Sequence, residues 1–172
     1  MDFPYSDKNS VDGIKQVIEY LSEGSRRLLV KLPTQVNPDI LWSVLTDYDN
    51  LSRFIPNLTS SNLLWRRRNT VGIKQVGSQK MLGLKFSAQV KLEIIEYPDD
   101  GRLDFSMSSG DFRHFEGFWQ IEQYSEITSL VYQLTVKGSI GMPIALIEQR
   151  LKNDISSNLR AIEKEAQRRS IN

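Results

Sequence analysis

Side chains able to do acid–base, nucleophilic or metal chemistry are scarce in this chain of 172 residues, which has one histidine and no cysteine. The absence of cysteine excludes disulfides, thiolate metal sites and cysteine nucleophiles together. With His114 alone, a multi-histidine metal centre is excluded and a histidine-based triad is disfavoured. His114 sits in Asp111-Phe112-Arg113-His114-Phe115-Glu116, where a strand puts it on the face of Glu116 and opposite Asp111. That spacing favours a turn-flanking histidine over a metal ligand, with general acid/base work as the alternative. Asp47-Tyr48-Asp49 holds the one obvious carboxylate pair within a dense motif. As a catalytic pair it would need burial and convergence on a substrate. The simpler expectation is that one carboxylate caps a short helix and Tyr48 packs beneath it.

The charges balance at 22 Lys+Arg against 21 Asp+Glu, a net +1, which gives no global electrostatic case for nucleic acid or an anionic membrane. The basic runs are Arg66-Arg67-Arg68 and Arg168-Arg169, with Arg26-Arg27. In a strand Arg66 and Arg68 point away from Arg67, and no base-stacking aromatic motif accompanies them. A solvated face is the expected reading, with a surface for RNA, a ribosome or anionic headgroups as the alternative. No stretch approaches roughly 18 uninterrupted apolar residues, so no transmembrane segment is expected. Met1-Asp2-Phe3-Pro4-Tyr5 has neither a basic leader nor an apolar signal core. The expectation is a soluble, cytoplasmic protein.

Behind these residues stands a pattern of elements without a repeat or a low-complexity linker. Val11, Ile14, Val17, Ile18 and Leu21 fall at helical spacing between Ser10 as N-cap and Gly24 as stop. They predict an N-terminal helical extension over 1–24, ahead of a main domain over 25–172. Its polar face, Lys15, Gln16, Glu19 and Glu23, is nearly neutral and poor for anionic lipid, so packing on the domain or a partner is expected. Arg26 to Leu32 reads as a strand. Asn37-Pro38 then opens a short helix through Leu45, and Leu51 to Ile55 forms another turn or two.

From Leu58 to Lys137 the period is two, and about six antiparallel strands with one buried face are expected. The clearest runs Phe86, Ala88, Val90, Leu92, Ile94 against Lys85, Ser87, Gln89, Lys91, Glu93. Phe118 breaks the polar face of its strand. Pro143 opens a long helix whose stripe is Ile144, Ile147, Leu151, Ile155, Leu159, Ile162 and Ala166. The sheet is its only large apolar partner. The fold class is therefore α+β, a curved antiparallel sheet wrapped around a long C-terminal helix, with two short helices after the first strand.

The stretch Val36-Asn37-Pro38-Asp39-Ile40-Leu41-Trp42-Ser43-Val44-Leu45-Thr46-Asp47-Tyr48-Asp49-Asn50-Leu51-Ser52-Arg53-Phe54-Ile55-Pro56-Asn57 resembles the signature of START-like helix-grip proteins. The likeness is to their polyketide cyclase/dehydrase and coenzyme-Q-binding branch, of the cyanobacterial or plastid type. Gln75-Val76-Gly77, Phe86-Ser87-Ala88, Gly117-Phe118-Trp119, Met142-Pro143 and Asn158-Leu159 carry it further. The resemblance implies a helix-grip (START/Bet v 1-like) fold with a hydrophobic cavity between sheet and last helix.

Gly77, Ala88 and Gly117 occupy inferred inward positions, where small residues either leave room for a ligand or let the helix approach closely. Candidate lining residues are Phe86, Val90, Phe105, Met107, Phe115, Trp119, Leu134, Ile147 and Leu151. Gln75, Gln79 and Tyr132 would orient a ligand, although a one-residue slip turns the glutamines to solvent. The expected function is to bury a quinone, lipid, isoprenoid or polyketide-like molecule and present it to an enzyme or membrane as transient partner. No cofactor and no metal are implied. One rival is an aromatase/cyclase or dehydratase with His114, Tyr132 or Asp104 as acid/base. The other is an interaction protein whose basic runs bind a ribosome or RNA complex.

Overall fold

The structure, a computed structural model, describes residues 13–172. Its strands are β1 Lys15–Tyr20, β2 Arg26–Thr34, β3 Leu58–Arg67, β4 Thr70–Met81, β5 Leu84–Tyr97, β6 Arg102–Gly110, β7 Phe112–Tyr124 and β8 Ile127–Gly138. All pair antiparallel in a single eight-stranded sheet ordered β1-β2-β8-β7-β6-β5-β4-β3. Alternation builds its two faces. In β5, Val90, Leu92 and Ile94 are buried while Gln89, Lys91 and Glu93 are exposed. Register shifts in the β3–β4, β5–β6 and β7–β8 pairs add local twist, and the sheet curls.

Between β2 and β3 the chain crosses to the far edge of the sheet through α1, Pro38–Leu45. Asn37 caps it, its Oδ1 accepting from Asp39 N at 2.8 Å, and Pro38 fills the first turn, where its missing N–H costs nothing. The second predicted helix is a single 3₁₀ turn, Leu51–Arg53, and neither Asp47 nor Asp49 caps it. Asp49 Oδ1 instead accepts from Leu63 N of β3 at 2.7 Å, and Asp47 Oδ2 meets Arg169 Nη2 at 2.7 Å. The two carboxylates tie this turn to the sheet edge and to the last helix.

That helix is α2, Ile144–Gln149, a π turn over Arg150–Asp154, and α3, Ile155–Ile171, in one continuous run. Leu151, Ile155, Leu159, Ile162 and Ala166 of the predicted stripe are buried in the core. The stripe's first residue, Ile144, is exposed instead. Phe118, on the outer face of β7, is buried beneath the Arg102 guanidinium, 4.0 Å from its ring.

The N-terminal expectation is corrected. Lys15–Tyr20 is an edge strand, not part of a helix, and Val11 and Ser10 lie outside the described residues. Lys15 pairs with Lys31 and Tyr20 with Arg26, so the segment satisfies its backbone against an open edge of β2. An isolated helix of about 11 residues is marginal, and its apolar face would have to find a separate partner. Gly24, read as a helix stop, holds the β1–β2 turn at φ +78°.

Candidate functional site

A cavity of about 380 Å³ lies between the concave sheet face and the last helix. That volume is in the range of small-molecule sites, roughly 300–1,000 Å³. Its walls follow from strand alternation. β4 contributes Ile73, Gln75, Gly77 and Gln79, and β5 contributes Phe86, Ala88 and Val90. Phe105 comes from β6, Phe115 and Trp119 from β7, and Tyr132 and Leu134 from β8. The helix closes it with Ile147 and Leu151.

The aromatic side forms a connected wall. Ring centroids are 5.9 Å apart for Phe105–Phe115, 5.8 Å for Phe105–Tyr132 and 4.3 Å for Trp119–Tyr132. Of the predicted lining residues the structure brings all but Met107 together. Met107 keeps to the inward side of β6 and packs against the core, but beyond the cavity. The β5–β6 register shift beside Leu92, its partner, turns that end of the strand.

The two candidate space-making glycines differ. A Cβ on Gly77 would sit 3.5 Å from Arg150 Nη2 and from Asn57 O, in ordinary contact. A Cβ on Gly117 would collide with the Gln133 carbonyl, and Gly117 is absent from the lining. Gly117 therefore serves close strand approach, not cavity volume.

Both glutamines face inward. Gln75 Nε2 donates to the buried Ser61 Oγ at 3.2 Å, whereas Gln79 Nε2 is buried without a hydrogen-bond partner. Tyr132 is buried as well. Desolvation pushes its phenol far above the ordinary range, against the opposing pull of Arg150, so it stays neutral. Tyr48 lines the other end and donates to Glu96 Oε1 at 2.7 Å, which also receives Arg66. Burial, then that hydrogen bond, raises the Tyr48 phenol too.

The remaining acid/base candidates lie elsewhere. His114 Nε2 is 3.1 Å from Glu116 Oε1 with both side chains about half exposed, and Asp104 pairs with Arg102 at 2.7 Å. Neither lines the cavity.

The basic runs are largely paired. Arg66 meets Glu96, Arg26 meets Glu148, Arg27 meets Glu19, and Arg168 and Arg169 share Glu165.

Periodicity did not mark Arg150, among the described residues the single charged side chain in the cavity lining. It opens the π turn, which shifts the phase of the helix surface at that point. The visible signal was its place beside Leu151, at the edge of the apolar stripe. Asn158, whose buried Oδ1 has no donor, was visible as part of the Asn158-Leu159 likeness and as a polar residue next to the stripe, neither of which marks it as lining a cavity.

The model of the family described as polyketide cyclase / dehydrase and lipid transport matches residues 34–163. No curated protein matches the chain in sequence. Among solved structures it is similar to the Zhui aromatase/cyclase from Streptomyces sp. R1128, at 15% identity and TM-score 0.72 over 85% of this chain and 96% of that one. It is similar to a STAR-related lipid transfer protein from Xanthomonas axonopodis, at 15% identity and TM-score 0.73 over 92% and 96%. Human STARD10 matches at 11% identity and TM-score 0.73, over 92% of this chain and 71% of that one. These likenesses establish the helix-grip, START-like fold that the sheet wrapped around its last helix displays. With the family model spanning most of that fold, the chain belongs to the polyketide cyclase/dehydrase and lipid transport family.

Proposed function

We propose that the protein binds a hydrophobic small molecule, of the quinone, lipid, isoprenoid or polyketide-like kind, in this cavity. It would shield the molecule from water and present it to an enzyme or a membrane by transient contact, in the cytoplasm. The observation that carries this reading is the unfilled apolar space of about 380 Å³ under the helix. Burying ligand there supplies affinity at ~25 cal/mol per Å² of apolar surface. Ten predicted residues, Gln75, Phe86, Val90, Phe105, Phe115, Trp119, Tyr132, Leu134, Ile147 and Leu151, are the proposed binding wall.

Carriage is favoured over an aromatase/cyclase or dehydratase reaction because, among the described residues, only neutral tyrosines and one arginine bring titratable groups to the cavity. It is favoured over a ribosome or RNA partner because the basic runs are largely spent in ion pairs.

Small molecules extracted from purified native protein and identified by mass spectrometry test the reading. One apolar compound near stoichiometry is expected, and Ala88→Phe, which fills the cavity wall, should lose it. Retention at full occupancy by Ala88→Phe in a folded protein would place the compound outside the cavity.

A further inference from the structure

Arg150 is out of keeping with the rest of the cavity. Its guanidinium reaches inward across β4, 3.5 Å from where a Gly77 Cβ would lie. Among the described residues it makes no hydrogen bond, and its one ion pair, to Asp154, is stretched to 3.8 Å. Its side chain is 28% exposed at the cavity rim, so most of its donors are free of protein acceptors and open to a ligand's. Gln79 Nε2 adds a buried donor with no acceptor, on the same strand two residues from Gly77.

Gln79 and Ser78 also border a polar recess next to the cavity, lined as well by Lys80, Lys85 and Asp154. Arg150, Lys80 and Lys85 against Asp154 leave this end net positive. The β6, β7 and β8 side of the cavity is aromatic. The two ends ask for a ligand with two ends.

We propose that the cavity takes an amphiphile whose oxyanion headgroup, carboxylate or phosphate, seats on Arg150 and Gln79 while its chain lies among Phe105, Phe115 and Trp119. This rests on the hydrophobic-ligand reading and narrows it. A guanidinium presents paired N–H donors that match either oxyanion in bidentate, charge-assisted hydrogen bonds. The π turn has a role in this arrangement, since it begins at Arg150 and ends at Asp154, setting both side chains at the same end.

The test uses the full chain and three probes of equal chain length, dodecanoate, dodecyl phosphate and dodecanol, each titrated at monomeric concentration against tryptophan emission. At least one oxyanion should bind about tenfold to a hundredfold more tightly than dodecanol. Whichever is tighter identifies the headgroup. Arg150→Met should remove that preference, bringing the ratio of oxyanion to dodecanol affinity to within about twofold of one. Arg150→Met with Asp154→Asn repeats the measurement without a stranded carboxylate, should the single variant fold poorly. Dodecanol binding as well as both oxyanions, or a preference that survives in the folded variants, overturns the headgroup proposal and leaves the apolar site standing. Binding by none of the three overturns both.

Discussion

Gly77 and Gly117 look alike in sequence, each a glycine in the inward row of a strand, yet their surroundings differ. An added Cβ at Gly117 would run into the Gln133 carbonyl and come within 2.8 Å of Phe105 Cζ. Gly117→Ala should therefore cost about 1–3 kcal/mol, read as a lower urea midpoint at unchanged slope. Gly77→Ala places its methyl at 3.5 Å from Arg150 Nη2 and should change stability by less than about 1 kcal/mol. Equal losses at both positions would contradict this division of roles. Strand glycine carries both meanings in a sequence, because what separates them is the bend of the neighbouring strand. The inward row itself was legible, since period-two alternation marks which side chains share a face. Its far end was not, because the bulge that moves Met107 off the wall leaves no trace in the alternation.

The elements were legible where their apolar pattern points to a single partner. The Ile147 to Ala166 stripe requires a sheet, and it has one. Lys15–Tyr20 has apolar residues that suit a helix, but the deciding term is the unpaired edge of β2, which no local pattern reveals. The π turn was equally hidden. Its displaced backbone is used, since Lys152 O accepts from Gln16 Nε2 at 3.3 Å while Ser156 Oγ donates to Gln16 Oε1 at 2.8 Å. At the other end of the helix, hydrogen bonds from Arg168, joined by Arg169, hold the Glu165 carboxyl down to about 2, below its ordinary 4.5. A depressed carboxylate contributes stability that is complete above its unfolded value and lost as pH falls through its folded one. Glu165→Gln should thus be less stable than the parent at pH 7, with the gap closing between about pH 4.5 and pH 2. A gap independent of pH, measured by chemical denaturation across that range, would assign the loss to packing alone.

The whole molecule is a sheet that closes on its last helix without filling the space beneath it. Stability and binding therefore draw on the same apolar surfaces. Leu151, 1% exposed, belongs to both the core and the cavity wall. Leu151→Asp buries an unpaired charge at a cost of several kcal/mol, and insoluble or molten protein is expected by near-ultraviolet circular dichroism. A well-folded variant would mean that the helix does not dock on the sheet through this residue. Binding should be visible from inside the cavity. Trp119 lies in its lining, 4.3 Å from Tyr132 between ring centroids, so a long-chain quinone entering there should quench its emission saturably. Trp42 and Trp65 emit as well, but neither lines the cavity, and Trp119→Phe keeps most of the apolar volume while removing the reporter. The saturable component should vanish in Trp119→Phe, although the quinone still raises that variant's melting temperature as any ligand of the native state does. For this uncharged probe the midpoint should hold between low and high salt, because its attraction is apolar and the site is screened from ions by the protein itself. Quenching that persists in Trp119→Phe, or a midpoint that moves steeply with ionic strength, would put the quinone on the outer surface instead.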